Sequence, residues 1–350
     1  MSLWKLPRMD GPMRPFALAM LLLLSAPATA APPRVTIVGP LKNVGFVTLW
    51  IAKDRGLFAD EGLDVDFTIM QGGSMARAAQ TVATKRADFS AQSALHAVIG
   101  AESGHRLVIV AAFSNRLLQD LVVRRDALVR RGLDPAKVAR QPLAERLKAM
   151  KGLRLAVDGG YYTEMYIRLL AEHGGLDSTR DLAVIPMGGS RNQYSEFLEG
   201  RVDGFMATQP YNWLAVQEPR PGLTLVDNIT KGEFPPFRDF LFQTLLTSPE
   251  TIRDRASVVK RVARALRRAD TYMRGAPASE VGAILNRQFP ELDPRMLERS
   301  FQNVLPALTP NLTISKASFE HVVEFALHIG AVRSRPPLET LYTNDFVAAR

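Results

Sequence analysis

From Arg34 onward the apolar residues follow two alternating rhythms. Short β-branched and aliphatic runs, among them Val35 to Val38, Val65 to Met70 and Leu107 to Phe113, are separated by stretches whose apolar positions recur at helical spacing. That alternation predicts βα units building mostly parallel sheets. The expected helices are Phe46 to Gly56, Ser74 to Arg86, Tyr162 to His173 and Ser190 to Glu199, and further strands fall at Asp88 to Ser90, Leu121 to Arg124, Leu153 to Asp158, Leu182 to Met187 and Asp203 to Ala207. Pro135 to Met150 is polar and basic, a surface excursion with a helix at Leu143 to Met150. After Phe240 to Thr247 helical periodicity takes over through Gly330, with Val258, Val262, Leu266 and Ala269 on one face and Arg261, Arg264, Arg267 and Arg268 on the other.

One segment occurs twice. Ile69-Met70-Gln71-Gly72-Gly73-Ser74 leads into a helix, then Lys85-Arg86-Ala87-Asp88-Phe89 and Gln92. Pro186-Met187-Gly188-Gly189-Ser190 leads into a helix, then Gly200-Arg201-Val202-Asp203-Gly204-Phe205 and Gln209. The serines are 116 residues apart, too far for a solenoid and suited to two similar α/β lobes. Each serine sits where a helix N-cap is expected. In open sheets ligands bind beyond the carboxyl ends of strands, where loops lead into helix N-termini. Two more turns share that position, Leu41-Lys42-Asn43-Val44-Gly45-Phe46 and Asp158-Gly159-Gly160-Tyr161-Tyr162-Thr163. The candidate ligand-binding residues are therefore Asn43, Phe46, Gln71, Gly73, Ser74, Gln92, Ser93, Tyr161, Tyr162, Thr163, Gly188, Gly189, Ser190 and Gln209. One of Tyr161 and Tyr162 is expected to face the cleft. Trp50, one turn into its helix, is expected in the core. No arginine stands out in these loops as a clamp for a sulfonate, and aromatic rings beside Gln, Ser and Asn suit a planar or partly apolar organic ligand.

The 350 residues exceed what one compact core usually absorbs. Lys5, Arg8 and Arg14 against Asp10 precede the apolar run Phe16 to Leu24 and the Ala28-Thr29-Ala30 site, which together make residues 1–30 a signal peptide. Cleavage would leave Ala31 at the start of an exported, soluble, periplasmic chain. The chain has no cysteine, which removes disulfides, thiolate metal sites and a lipidated N-terminus. A net charge of +9 raises nucleic acid as a partner, but the arginines are dispersed and no stacking aromatics interleave with them. His96, His105, His173, His321 and His328 form no metal or catalytic motif, and no cofactor fingerprint occurs. No catalytic residue, metal or cofactor is expected.

Gly45-Phe46, Ala52-Lys53-Asp54-Arg55-Gly56-Leu57-Phe58 and Glu61-Gly62-Leu63-Asp64-Val65 resemble the opening of periplasmic substrate-binding proteins for sulfonates, taurine, nitrate and the thiamine pyrimidine precursor. Lys151 to Val157 and Leu198 to Gly204 fit the same pattern. The resemblance implies a two-lobed α/β periplasmic-binding-protein fold in which lobe closure captures a small organic molecule for an ABC importer permease of the inner membrane. The expected organisation is one lobe of residues 31–118 plus 236–350 and a second of 119–235, in a monomer that does not bind nucleic acid. The alternative is a related enzyme of thiamine-pyrimidine synthesis. Such enzymes carry cysteine and histidine clusters, which this chain lacks.

Overall fold

In the computed structural model, residues 31–39, 42–70, 75–158 and 161–348 are described. The expected signal peptide, Gln71, Gly73 and Ser74 lie outside them, as do the side chains of Tyr161 and Tyr162. In chain order the strands are β1 (Arg34–Gly39), β2 (Asp64–Ile69), β3 (Phe89–Ser93), β4 (Val108–Ala112), β5 (Asp120–Arg124), β6 (Arg154–Asp158), β7 (Ala183–Met187), β8 (Gly204–Ala207), β9 (Gly222–Val226) and β10 (Gln243–Thr247). They form two sheets of five, β2-β1-β3-β10-β4 and β7-β6-β8-β5-β9.

The two orders are the same arrangement. In each sheet the first three strands pair in parallel, and the fourth runs antiparallel to both neighbours. β5 leaves the sequence neighbourhood of β4 to become the antiparallel strand of the second sheet, and β10 leaves that of β9 to become the antiparallel strand of the first. Strand periodicity carries no direction, so the antiparallel members were not visible in the hydrophobic pattern; β9, too short and too mixed, was not visible at all. Buried strands β3, β4 and β10 are covered along their whole length, whereas the edge strand β2 alternates between partly buried and exposed positions.

Local chemistry sets the helix boundaries. Asn43 accepts a hydrogen bond from the Gly45 N–H at 3.0 Å and starts a 3-10 turn, Val44–Phe46, before the helix Val47–Asp54. Trp50 is buried in that helix with its ring edge-on to Phe67, centroids 5.3 Å apart. The long helix Ala256–Gly275 buries Val258, Val262, Leu266 and Ala269. Its arginine face is turned to the chain itself: Arg264 pairs with Glu61 at 2.8 Å and Arg268 with Asp60 at 2.7 Å. The excursion over residues 135–150 holds two short helices, Pro135–Arg140 and Leu143–Leu147, and a 3-10 turn at Lys148–Met150.

Candidate functional site

The carboxyl ends of β3 and β8 and the loops after β1, β2, β6 and β7 surround a cavity of about 590 Å³. From the first sheet and the C-terminal helices come Lys42, Asn43, Phe46, Gln92, Ser93, His96, Phe242, Gln243, Phe289 and Glu291. From the second come Gln119, Asp158, Thr163, Tyr166, Gly188, Gly189, Ser190, Arg191, Asn192, Thr208 and Tyr211. A volume of this size suits a small organic molecule.

Each wall is held by hydrogen bonds within the chain. Asn43 Oδ1 also accepts from Gln243 Nε2 at 2.9 Å, which ties the first loop to the start of β10. Ser93 Oγ accepts from the Leu95 N–H at 3.3 Å where the following helix begins. Burial pulls the His96 pKa down to about 4, so its ring is neutral at physiological pH. On the opposite wall the Asp158 carboxylate, at the end of β6, accepts from the Gly189 N–H at 3.0 Å. The N-terminus of the helix Gly189–Leu198 thus already faces a carboxylate of this chain.

Between the walls lies Tyr166, on the helix Tyr161–His173. Its ring stacks on Phe325 of the helix Lys316–His328, centroids 4.9 Å apart, and meets Phe237 edge-on at 5.3 Å. Ser93 is the hydrogen-bonding neighbour of its hydroxyl, and burial pushes the hydroxyl pKa up.

The family model described as the NMT1-like family matches residues 29–284. The chain belongs to the NMT1-like family. No curated protein matches it in sequence. Among solved structures it is similar to a protein from Bordetella bronchiseptica RB50, with a TM-score of 0.73, 20% identity, and 90% of this chain and 95% of that one covered. It is similar to the alkanesulfonate-binding protein SsuA from Xanthomonas axonopodis pv. citri bound to MOPS, with a TM-score of 0.66, 17% identity, and coverage of 90% and 100%. It is also similar to the desulfurization enzyme DszB, in the complex of a mutant with biphenyl-2-sulfinic acid, with a TM-score of 0.61, 14% identity, and coverage of 90% and 98%. These likenesses establish the two-lobed α/β fold of periplasmic binding proteins.

In this NMT1-like chain the cavity brings together Asn43, Phe46, Gln92, Ser93, Thr163, Gly188, Gly189 and Ser190. Gln209 is buried but does not line the cavity. The reason is register: counted from Asp88 and Asp203, Ser93 and Thr208 occupy equivalent strand positions, and Gln209 lies one residue further on. Ser190 is not an N-cap. Gly189 opens the helix with φ +71°, Asp158 meets its N–H, and the Ser190 hydroxyl lies 3.4 Å from that of Thr208. Contrary to the expectation for these loops, an arginine does stand among them: Arg191 directly follows Ser190 and lies 3.7 Å from Glu291. Sequence reasoning missed Gln119, Tyr166 and Gln243 as lining residues, because topology rather than loop position carries them there. Tyr166 alone had a signal, lying one helical turn after Thr163.

Proposed function

We propose that this chain is an exported solute-binding protein that encloses a small organic molecule between its lobes and hands it to the permease of an ABC importer in the inner membrane. The observation that carries this reading is the cavity of about 590 Å³ lined from both sheets. A ligand touching both lobes binds their closed arrangement better and shifts the population towards it. The fold it shares with an alkanesulfonate-binding protein supports the same role. The lobes are residues 31–118 plus 236–350 and residues 119–235, a division supported by which strands enter which sheet. Gln71, Gly73, Ser74, Tyr161 and Tyr162 belong to the site by their place in its loops. The chain acts as a periplasmic monomer from Ala31 onward, and it neither binds nucleic acid nor transforms its ligand.

Titration calorimetry on the mature chain, with a panel of small organic molecules, tests the reading. One compound should bind with one-to-one stoichiometry and be recovered chemically unchanged. Conversion of the compound during incubation would replace the binding role by an enzymatic one.

A further inference from the structure

Three glutamines on the cavity wall keep polar atoms without partners. They are Gln92, with both Oε1 and Nε2, and Gln119 and Gln243, each with Oε1. Their exposures are 1%, 6% and 3%, so water does not take the missing places freely. A buried polar group left unpaired is costly, and such groups mark places where a partner is expected from outside the chain.

Two of the three occupy matching positions. Gln243 heads the antiparallel strand β10 and lies opposite Ser93, the last residue of β3. Gln119 precedes the antiparallel strand β5, whose Asp120 lies opposite Ala207 at the end of β8, so it is level with Thr208. Each lobe therefore holds one unpartnered glutamine carbonyl at the same level of its sheet. At Gln243 the amide nitrogen faces Asn43 Oδ1, which also takes the Gly45 N–H, and the carbonyl oxygen is the atom left over.

The charges of the wall point the same way. The cations among the described lining residues, Lys42 and Arg191, are both exposed, and Arg191 faces Glu291. The helix N-terminus at Gly189 faces Asp158. A sulfonate or carboxylate offers only acceptors, which could satisfy the Gln92 Nε2 but none of the three glutamine carbonyls.

We propose that the cavity selects a neutral ligand bearing a carboxamide-type group, with N–H donors for the glutamine carbonyls and a carbonyl for the Gln92 amide, over sulfonates and other anions. This rests on the solute-binding role proposed above. A lactam, a urea or a primary amide on a planar frame meets both demands, and Phe46, Tyr166 and Tyr211 supply apolar walls for the frame.

A ring-matched series separates the headgroups: benzamide and nicotinamide against benzoate, nicotinate and benzenesulfonate. The amides should raise the melting temperature of the mature chain, and the anions should not. In Gln92→Met the ligand-free chain should melt higher than wild type while benzamide binds at least tenfold more weakly; Gln119→Met should weaken benzamide likewise. Stabilisation by the anions alone overturns the selectivity and leaves solute capture standing. If neither arm stabilises the chain, the selectivity also falls, and native mass spectrometry of protein isolated from the periplasm then decides the binding role: a bound compound keeps it, and none ends it.

Discussion

Arg191, in the first turn of the helix Gly189–Leu198, lies 3.7 Å from Glu291, in the loop between the two C-terminal helices Ala278–Asn286 and Pro294–Val304. Both line the cavity. Their side chains are 72% and 33% exposed, so the pair is worth no more than about 1 kcal/mol. Its effect should show in the lifetime of the closed state. Glu291→Gln should speed ligand dissociation by roughly two- to fivefold, with little change in association. Stopped-flow measurement in molar salt should give wild type the variant's rate, because salt screens an exposed pair. Identical dissociation rates at low salt would show that the pair does not hold the lobes.

Tyr166 joins the helix Tyr161–His173 to the C-terminal helix Lys316–His328 through its ring, against Phe325, Phe237 and Phe240. Removing the ring should cost more than removing the hydroxyl. Tyr166→Ala should lose about 3 to 5 kcal/mol in urea denaturation, and Tyr166→Phe about 1 kcal/mol. Equal losses would mean that the hydroxyl beside Ser93, not the aromatic stack, carries the contact.

The duplication was legible because its parts are local: β2 and β7, the helices after them, and β3 and β8 take equivalent places in sheets of the same order. What was not legible is what crosses between distant segments. Ser190 has the sequence position of a cap, yet the carboxylate at Gly189 comes from Asp158, 31 residues earlier. Gln243 and Ser93 meet only because β10 returns to the first sheet. Gln209 lies beside a repeated motif in the sequence, and the strand register that keeps it off the cavity wall depends on pairing that hydrophobic periodicity does not encode.

His96 gives the cavity wall a pH dependence with a defined sign. Its pKa falls from 6.5 to about 4 through burial, so between those values the unfolded chain takes up a proton that the folded chain refuses. This stability is fully present above pH 6.5 and is lost as pH falls towards 4. At pH 4.5 the loss should be about 2 to 3 kcal/mol relative to pH 7.5. His96→Gln carries no such proton, so the gap between wild type and variant in urea denaturation should shift by that amount in the variant's favour at pH 4.5. A gap that stays constant from pH 7.5 to 4.5 would show that the ring is protonated in the fold.

Gly189, on the cavity wall, and Gly45, packed against the lining residue Gln243, should respond to alanine in different ways. Gly189 needs its backbone freedom: φ is +71°, and no atom lies within 4 Å of where a Cβ would stand. Gly189→Ala should therefore cost about 1 to 2 kcal/mol of stability through strain and move no neighbour. Gly45 needs space. A Cβ there would stand 2.1 Å from Gln243 Oε1 and 2.7 Å from Leu118 Cδ1, so Gln243 must turn away from Asn43. Gly45→Ala should cost a similar amount, about 1 to 3 kcal/mol, and additionally displace a glutamine that lines the cavity. Calorimetric titration beside ligand-free melting curves separates the two outcomes: affinity within about threefold of wild type for Gly189→Ala, and a drop of about tenfold or more for Gly45→Ala. If Gly45→Ala binds as wild type does, Gln243 makes no contact with the ligand, and its unpartnered oxygen belongs to packing rather than to recognition.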